Sequence, residues 1–78
     1  METLVTSDIY MVAALLTKGA EIKLPIDTSD LRHYRFTLIG MDILNIKKDW
    51  MNNELVGNLS DYARSLKTVK MILHEKGD

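Results

Sequence analysis

The sequence predicts an α+β fold in the order helix, antiparallel β-hairpin, helix, helix (αββαα), with the helices packed on one face of the sheet. Three observations lead there. Residues 9–16, IYMVAALL, form an unbroken apolar run that closes at Lys18-Gly19. Residues 22–26 and 34–38 each alternate apolar with other side chains, the period of a strand with one buried face. Beyond Gly40, apolar residues recur at spacings of three and four, the period of an amphipathic helix.

The first helix is predicted over about residues 8–18. Thr6, Ser7 and Asp8 are all N-cap residue types, and Gly19 supplies the left-handed residue that commonly ends a helix. Ile9, Val12, Ala13 and Leu16 make one stripe, while Tyr10, Met11, Ala14 and Leu15 fill most of the remaining circumference. Such a helix is touched on more than one side. It lies in the middle of one chain, or part of it meets a second copy.

After Gly19, Ile22, Leu24 and Ile26 form the apolar face of the first strand. Pro25 has no N–H for a ladder, which puts this strand at an edge. The cluster Asp27-Thr28-Ser29-Asp30 is a turn, and Tyr34, Phe36 and Leu38 then face one way while His33, Arg35 and Thr37 face the other. Gly40 closes the strand. Asp42 caps a second helix through Ile43, Leu44, Ile46, Trp50 and Met51, whose spacings place them on a common side. Residues 52–58 read as loop, and Ser60 starts and caps the last helix, whose stripe is Leu59, Tyr62, Leu66, Val69 and Leu73, with Gly77 beyond its end. The Asn58-Leu59-Ser60 triplet is also a formal glycosylation acceptor, a role given no weight beside the cap.

Seventy-eight residues make one domain over 1–78, and a chain of this size hides only about 60% of its unfolded surface, so its core is thin. Ten Lys and Arg against eleven Asp and Glu leave a net charge of −1, which excludes a global pull towards nucleic acid or anionic lipid. The absence of cysteine removes disulfides, thiolate zinc sites and cysteine nucleophiles. Eight apolar residues fall far short of the roughly 20 that cross a bilayer, and Glu2, Ser7 and Asp8 stand where a signal peptide would carry basic residues. The expectation is a cytoplasmic protein that does not engage membranes.

Chemistry is sparse. There is no glycine-rich phosphate loop, no HExxH and no GxSxG, and the reading is not an enzyme, with no cofactor. His33 and His74 lack a second ligand at metal spacing. Asp27 and Asp30 have neither the ligand count nor the glycine of a calcium loop. Trp50, between Lys47-Lys48-Asp49 and Met51, could stack on a base, but its spacing from Ile43 and Ile46 makes it a core or rim anchor.

Two functional readings follow. The first is an interaction module, a small accessory or regulatory protein that binds another protein or itself through the first helix and the apolar edges of the last helix. Its self-association surface is Tyr10, Met11, Ala14 and Leu15, giving a homodimer through helix-to-helix contact, because Pro25 disfavours pairing at its strand edge. The alternative is a nucleic-acid-binding accessory protein that uses local basic residues, Arg32, Arg35, Arg64, Lys67 and Lys70. Against that alternative, Lys70 and His74 near the end of the last helix, with Asp61 in its first turn, are what a helix dipole favours anyway.

The runs YMVAALLTKGAEI, YRFTL, KKDWMNN and SDYARSLKTVKMIL together resemble a family of short uncharacterised domains from bacteria and their phages. The shared marks are Leu15-Leu16, Gly19, Trp50 and Leu66-Lys67. The resemblance implies the α+β architecture and an origin in a mobile element, and it carries no activity or functional residue.

Overall fold

A computed structural model describes residues 1–29 and 34–77, with side chains described to residue 74. The elements are β1 (Glu2–Thr6), α1 (Ile9–Thr17), β2 (Glu21–Asp27), β3 (Arg35–Gly40), α2 (Ile43–Met51) and α3 (Leu59–Gly77). The expected helix, hairpin and two following helices are all present, and β2 pairs antiparallel with β3. A further strand, β1, precedes them and pairs antiparallel with β3, so the sheet order is β1-β3-β2.

The ends of α1 explain its length. The Asp8 carboxylate accepts from the N–H groups of Tyr10 (3.0 Å) and Met11 (3.3 Å), satisfying two donors that the helix itself leaves open. At the other end Gly19, at φ 100°, lets its own N–H reach the Leu16 carbonyl and the Ala20 N–H reach Leu15, both at 3.0 Å. This is the paired bonding of a Schellman stop.

On the sheet's inner face Leu4, Leu38 and Ile22 lie in one cross-strand row, with Phe36 buried one pleat further along β3. At the far end of β3, Gly40 lies against α1's exit: a Cβ there would stand 3.3 Å from the Ala20 Cα. The outer face carries Thr3, Val5, Thr37 and Arg35. The alternation predicted for β2 holds at Ile22 and Ile26 and fails at Leu24, which is 67% exposed. Between Lys23 and Asp27 the register with β3 shifts, and Pro25, in a cis peptide with Leu24, cannot donate to the ladder. The strand is an edge, as its proline requires.

Helix α1 lies between partners. Met11, Val12, Ala13, Ala14 and Leu15 are consecutive and all buried, which a helix achieves only when covered around most of its circumference. The sheet and α2 cover one side, and α3 packs along the other, where Val69 is fully buried and Tyr62, Leu66, Ile72 and Leu73 join the core. The Thr17 hydroxyl donates to the Ala13 carbonyl at 2.8 Å and is bonded to the Ser65 hydroxyl at 3.1 Å, tying the two helices together.

Four sequence expectations about helix ends and stripes are corrected. Asp42 occupies the N-cap position of α2 but at φ 57°, with no capping bond from its side chain. The Leu44 N–H donates instead to the Glu2 carboxylate of β1, at 3.0 Å. Asn58, not Ser60, caps α3, its Oδ1 accepting from the Asp61 N–H at 3.0 Å. Ile43, Ile46 and Trp50 face the core, whereas Leu44 and Met51, a helical step away, are exposed, as is Leu59. Helix α3 also takes in Gly77. Among the described residues no helix is long and apolar enough to cross a membrane.

Candidate functional site

Helix α2 ends in the same way as α1, with Asn53 (φ 58°) in place of glycine. The Asn53 N–H donates to the Trp50 carbonyl at 3.2 Å and the Glu54 N–H to Asp49 at 2.8 Å. Asparagine tolerates this left-handed position better than most residues. The stop turns residues 54–58 back along α1, where a Cβ on Gly57 would stand 3.8 Å from both the Thr17 and Lys18 side chains. Asn58 then begins α3. Between these segments lies a cleft of about 290 Å³, with Ala14, Trp50, Leu55 and Tyr62 among its walls and Val56 and Leu59 at its rim.

Two of the lining side chains are aromatic. The rings of Trp50 and Tyr62 stack with centroids 6.4 Å apart and planes at 27°. The Tyr62 hydroxyl donates to the Tyr10 carbonyl at 3.3 Å. Burial raises the pKa of this phenol above its ordinary value, and the Asp8 carboxylate and Tyr10 push the same way. Val56 is 77% exposed and Leu59 84%, and Tyr10, beside the cleft, is 51% exposed. The polar side chains of the lining have structural duties: Thr17 bonds within α1 and to Ser65, Asn58 caps α3, and Tyr62 reaches α1. Lys18, also lining the cleft, has no ion-pair partner among the described residues.

The structure separates the residues expected to self-associate. Met11, Ala14 and Leu15 are buried within one chain, because α3 and the sheet already cover them. This corrects their placement on a surface, and only Tyr10 remains open to a partner. The described basic residues do not form one patch. Arg35 stands on the outer sheet face and pairs with Asp27 at 4.0 Å, whereas Arg64, Lys67 and Lys70 are exposed along α3, with Arg64 beside Asp61 at 3.9 Å. Arg32 lies outside the described residues, as do His33 and Asp30.

Trp50 is a half-buried rim residue packed against the core. Asp27 accepts from the Ser29 N–H at 2.9 Å, and this bond, with Ser29's side chain and to a smaller extent Arg35, holds its carboxyl below the usual carboxylate range. Among the described residues no group of three or more His, Cys, Asp or Glu could hold a metal ion.

Sequence reasoning missed the cleft because residues 52–58 read as connecting loop. A signal was present: Leu55-Val56 is an apolar pair among asparagine, glutamate and glycine, out of place in a segment that only joins two helices. Comparison of the chain with family models, with curated proteins and with solved structures gave no match.

Proposed function

We propose that this chain is a small non-enzymatic interaction module, a cytoplasmic accessory or regulatory protein that holds an apolar segment of a partner protein in the Trp50–Tyr62 cleft. The observation that carries the reading is the exposure of Val56 and Leu59 at the rim of a cleft lined by stacked aromatics. Interface hot spots are enriched in tryptophan and tyrosine within pockets of this kind. At about 290 Å³ the space sits at the small end of the roughly 300–1,000 Å³ typical of small-molecule sites, which suits one or two side chains better than a cofactor. Commitment of Thr17, Asn58 and Tyr62 to structural bonds favours recognition over acid–base chemistry.

The test is selection of binders from a random peptide library on the immobilised protein, with Trp50, the only tryptophan, as the fluorescent reporter. Selected peptides are expected to share apolar anchor residues, to change Trp50 emission on binding, and to lose at least tenfold in affinity for the Leu59→Glu variant. Peptides that bind without altering Trp50 emission, or that bind Leu59→Glu equally well, would refute the proposal.

A further inference from the structure

The two edges of the sheet are built differently. On β2 the edge is interrupted by Pro25, charged by Lys23, and broken by the register shift between Lys23 and Asp27, all features that discourage another strand from pairing there. β1 has no proline, no lysine and no register shift. Its pairing with β3 runs without a shift from Glu2↔Gly40 to Thr6↔Phe36. Alternate N–H and C=O groups on its far side therefore point outward in regular order, and among the described residues no strand pairs with them. The single charge on β1, Glu2, is bonded to the Leu44 N–H.

Exposed apolar side chains gather along the same edge. Val5, 56% exposed, lies on the outer face. Met1, Met41 and Leu44, all exposed, gather at the Glu2 end: Met41 follows Gly40, the register partner of Glu2, and the Leu44 N–H is bonded to the Glu2 carboxylate. Regular open backbone with apolar side chains around it is the surface to which a strand adds.

We infer that the occupant is a second copy of this chain, pairing β1 with β1 antiparallel about a two-fold axis at Leu4 to make one six-stranded sheet. The side chains of β1 are self-complementary in that register. Leu4 meets Leu4, Thr3 meets Val5 and Glu2 meets Thr6, so no like charges face each other, and like charges directly opposite are what destabilise a strand pair. Symmetric pairing also adds buried surface to a thin core. The interface is separate from the Trp50–Tyr62 cleft and does not depend on how that cleft is used.

Light scattering on the full chain from micromolar to millimolar concentration tests this, with two charge variants at the exposed outer-face positions. In Thr3→Lys/Val5→Lys every lysine would face a lysine of the twin, and in Thr3→Glu/Val5→Glu every glutamate a glutamate. The expected results are a species of twice the 8.9 kDa chain mass for the unchanged protein, monomers for each variant alone, and a restored dimer when the two variants are mixed. Restoration on mixing shows that both variants remain folded. An unchanged protein that stays monomeric throughout, a dimer that persists in either variant alone, or variants that stay monomeric when mixed would each overturn the inference; the first would leave the edge to a strand from another protein.

Discussion

Two leucines of identical chemistry, both in helices, are expected to respond in opposite ways to truncation. Leu15 has no exposed surface and its neighbours from Met11 to Ala14 are all buried. Leu59 is 84% exposed. Leu15→Ala removes three carbons, worth about 0.8 kcal/mol each in transfer from water, and it leaves a cavity walled by helix and sheet that has little freedom to collapse. The measured range for such changes, roughly 2.7–5.0 kcal/mol, brackets an expected loss of about 3.5 kcal/mol. A chain of 78 residues holds in total about 4–12 kcal/mol, so the variant is left at the margin of stability. Leu59→Ala is expected within about 0.5 kcal/mol of the parent. Urea unfolding followed by far-ultraviolet circular dichroism and by Trp50 fluorescence measures both. A loss below about 1 kcal/mol for Leu15→Ala, or a loss for Leu59→Ala that rivals it, would refute the assignment of α1 to the centre of the molecule and of Leu59 to its surface.

Two further outcomes follow from bonds between distant parts of the chain. Glu2→Ala takes the acceptor from the Leu44 N–H and is expected to cost about 1 kcal/mol, read as a lowered thermal midpoint, with the largest gain in hydrogen exchange at the start of α2; an unchanged midpoint would show that the bond contributes nothing. The raised pKa of Tyr62 means that the folded chain keeps this proton longer than the unfolded one, so stability is intact below about pH 10, the unfolded value, and falls as pH rises through the folded value. The phenolate absorbance lost on Tyr62→Phe should correspond to a group titrating above the ordinary tyrosine value, and Tyr62→Phe should flatten the alkaline loss; a difference titration at or below the ordinary value would contradict the effect.

Much of the architecture is legible in local pattern, and what is not legible depends on distant residues. The start of α1 at Asp8 and its stop at Gly19 follow from caps that act within a few residues of where they stand. Strand β1 is hidden because it offers the core only Leu4, with Val5 beside it pointing outward, so five residues give no clear alternation. Leu24 departs from its pattern because Pro25 interrupts the ladder, and Asp42 yields its capping duty to Glu2, 40 positions earlier. The apolar circumference of α1 announces burial on several sides. Which sides, and by what, is decided by α3, whose position no local pattern of α1 encodes. For the cleft, Trp50 is recognisable from the sequence as a rim anchor, whereas the exposure of Leu59 is not, since its spacing alone assigns it to the buried stripe.

Placing α1 between a sheet and a last helix also fixes when the chain can become a protein. Val69, which seals the outer side of α1, is made roughly 50 residues after α1 is complete. At about 5–20 residues per second that interval is about 3–10 s. During that time the greasiest segment of the chain can be covered by the sheet and α2 on one side only. β1 waits as well, because its partner β3 is synthesised after α1 and β2. Completion of the core therefore waits for α3, and a chain interrupted before α3 carries its core helix open on one side, a substrate for chaperones and proteases.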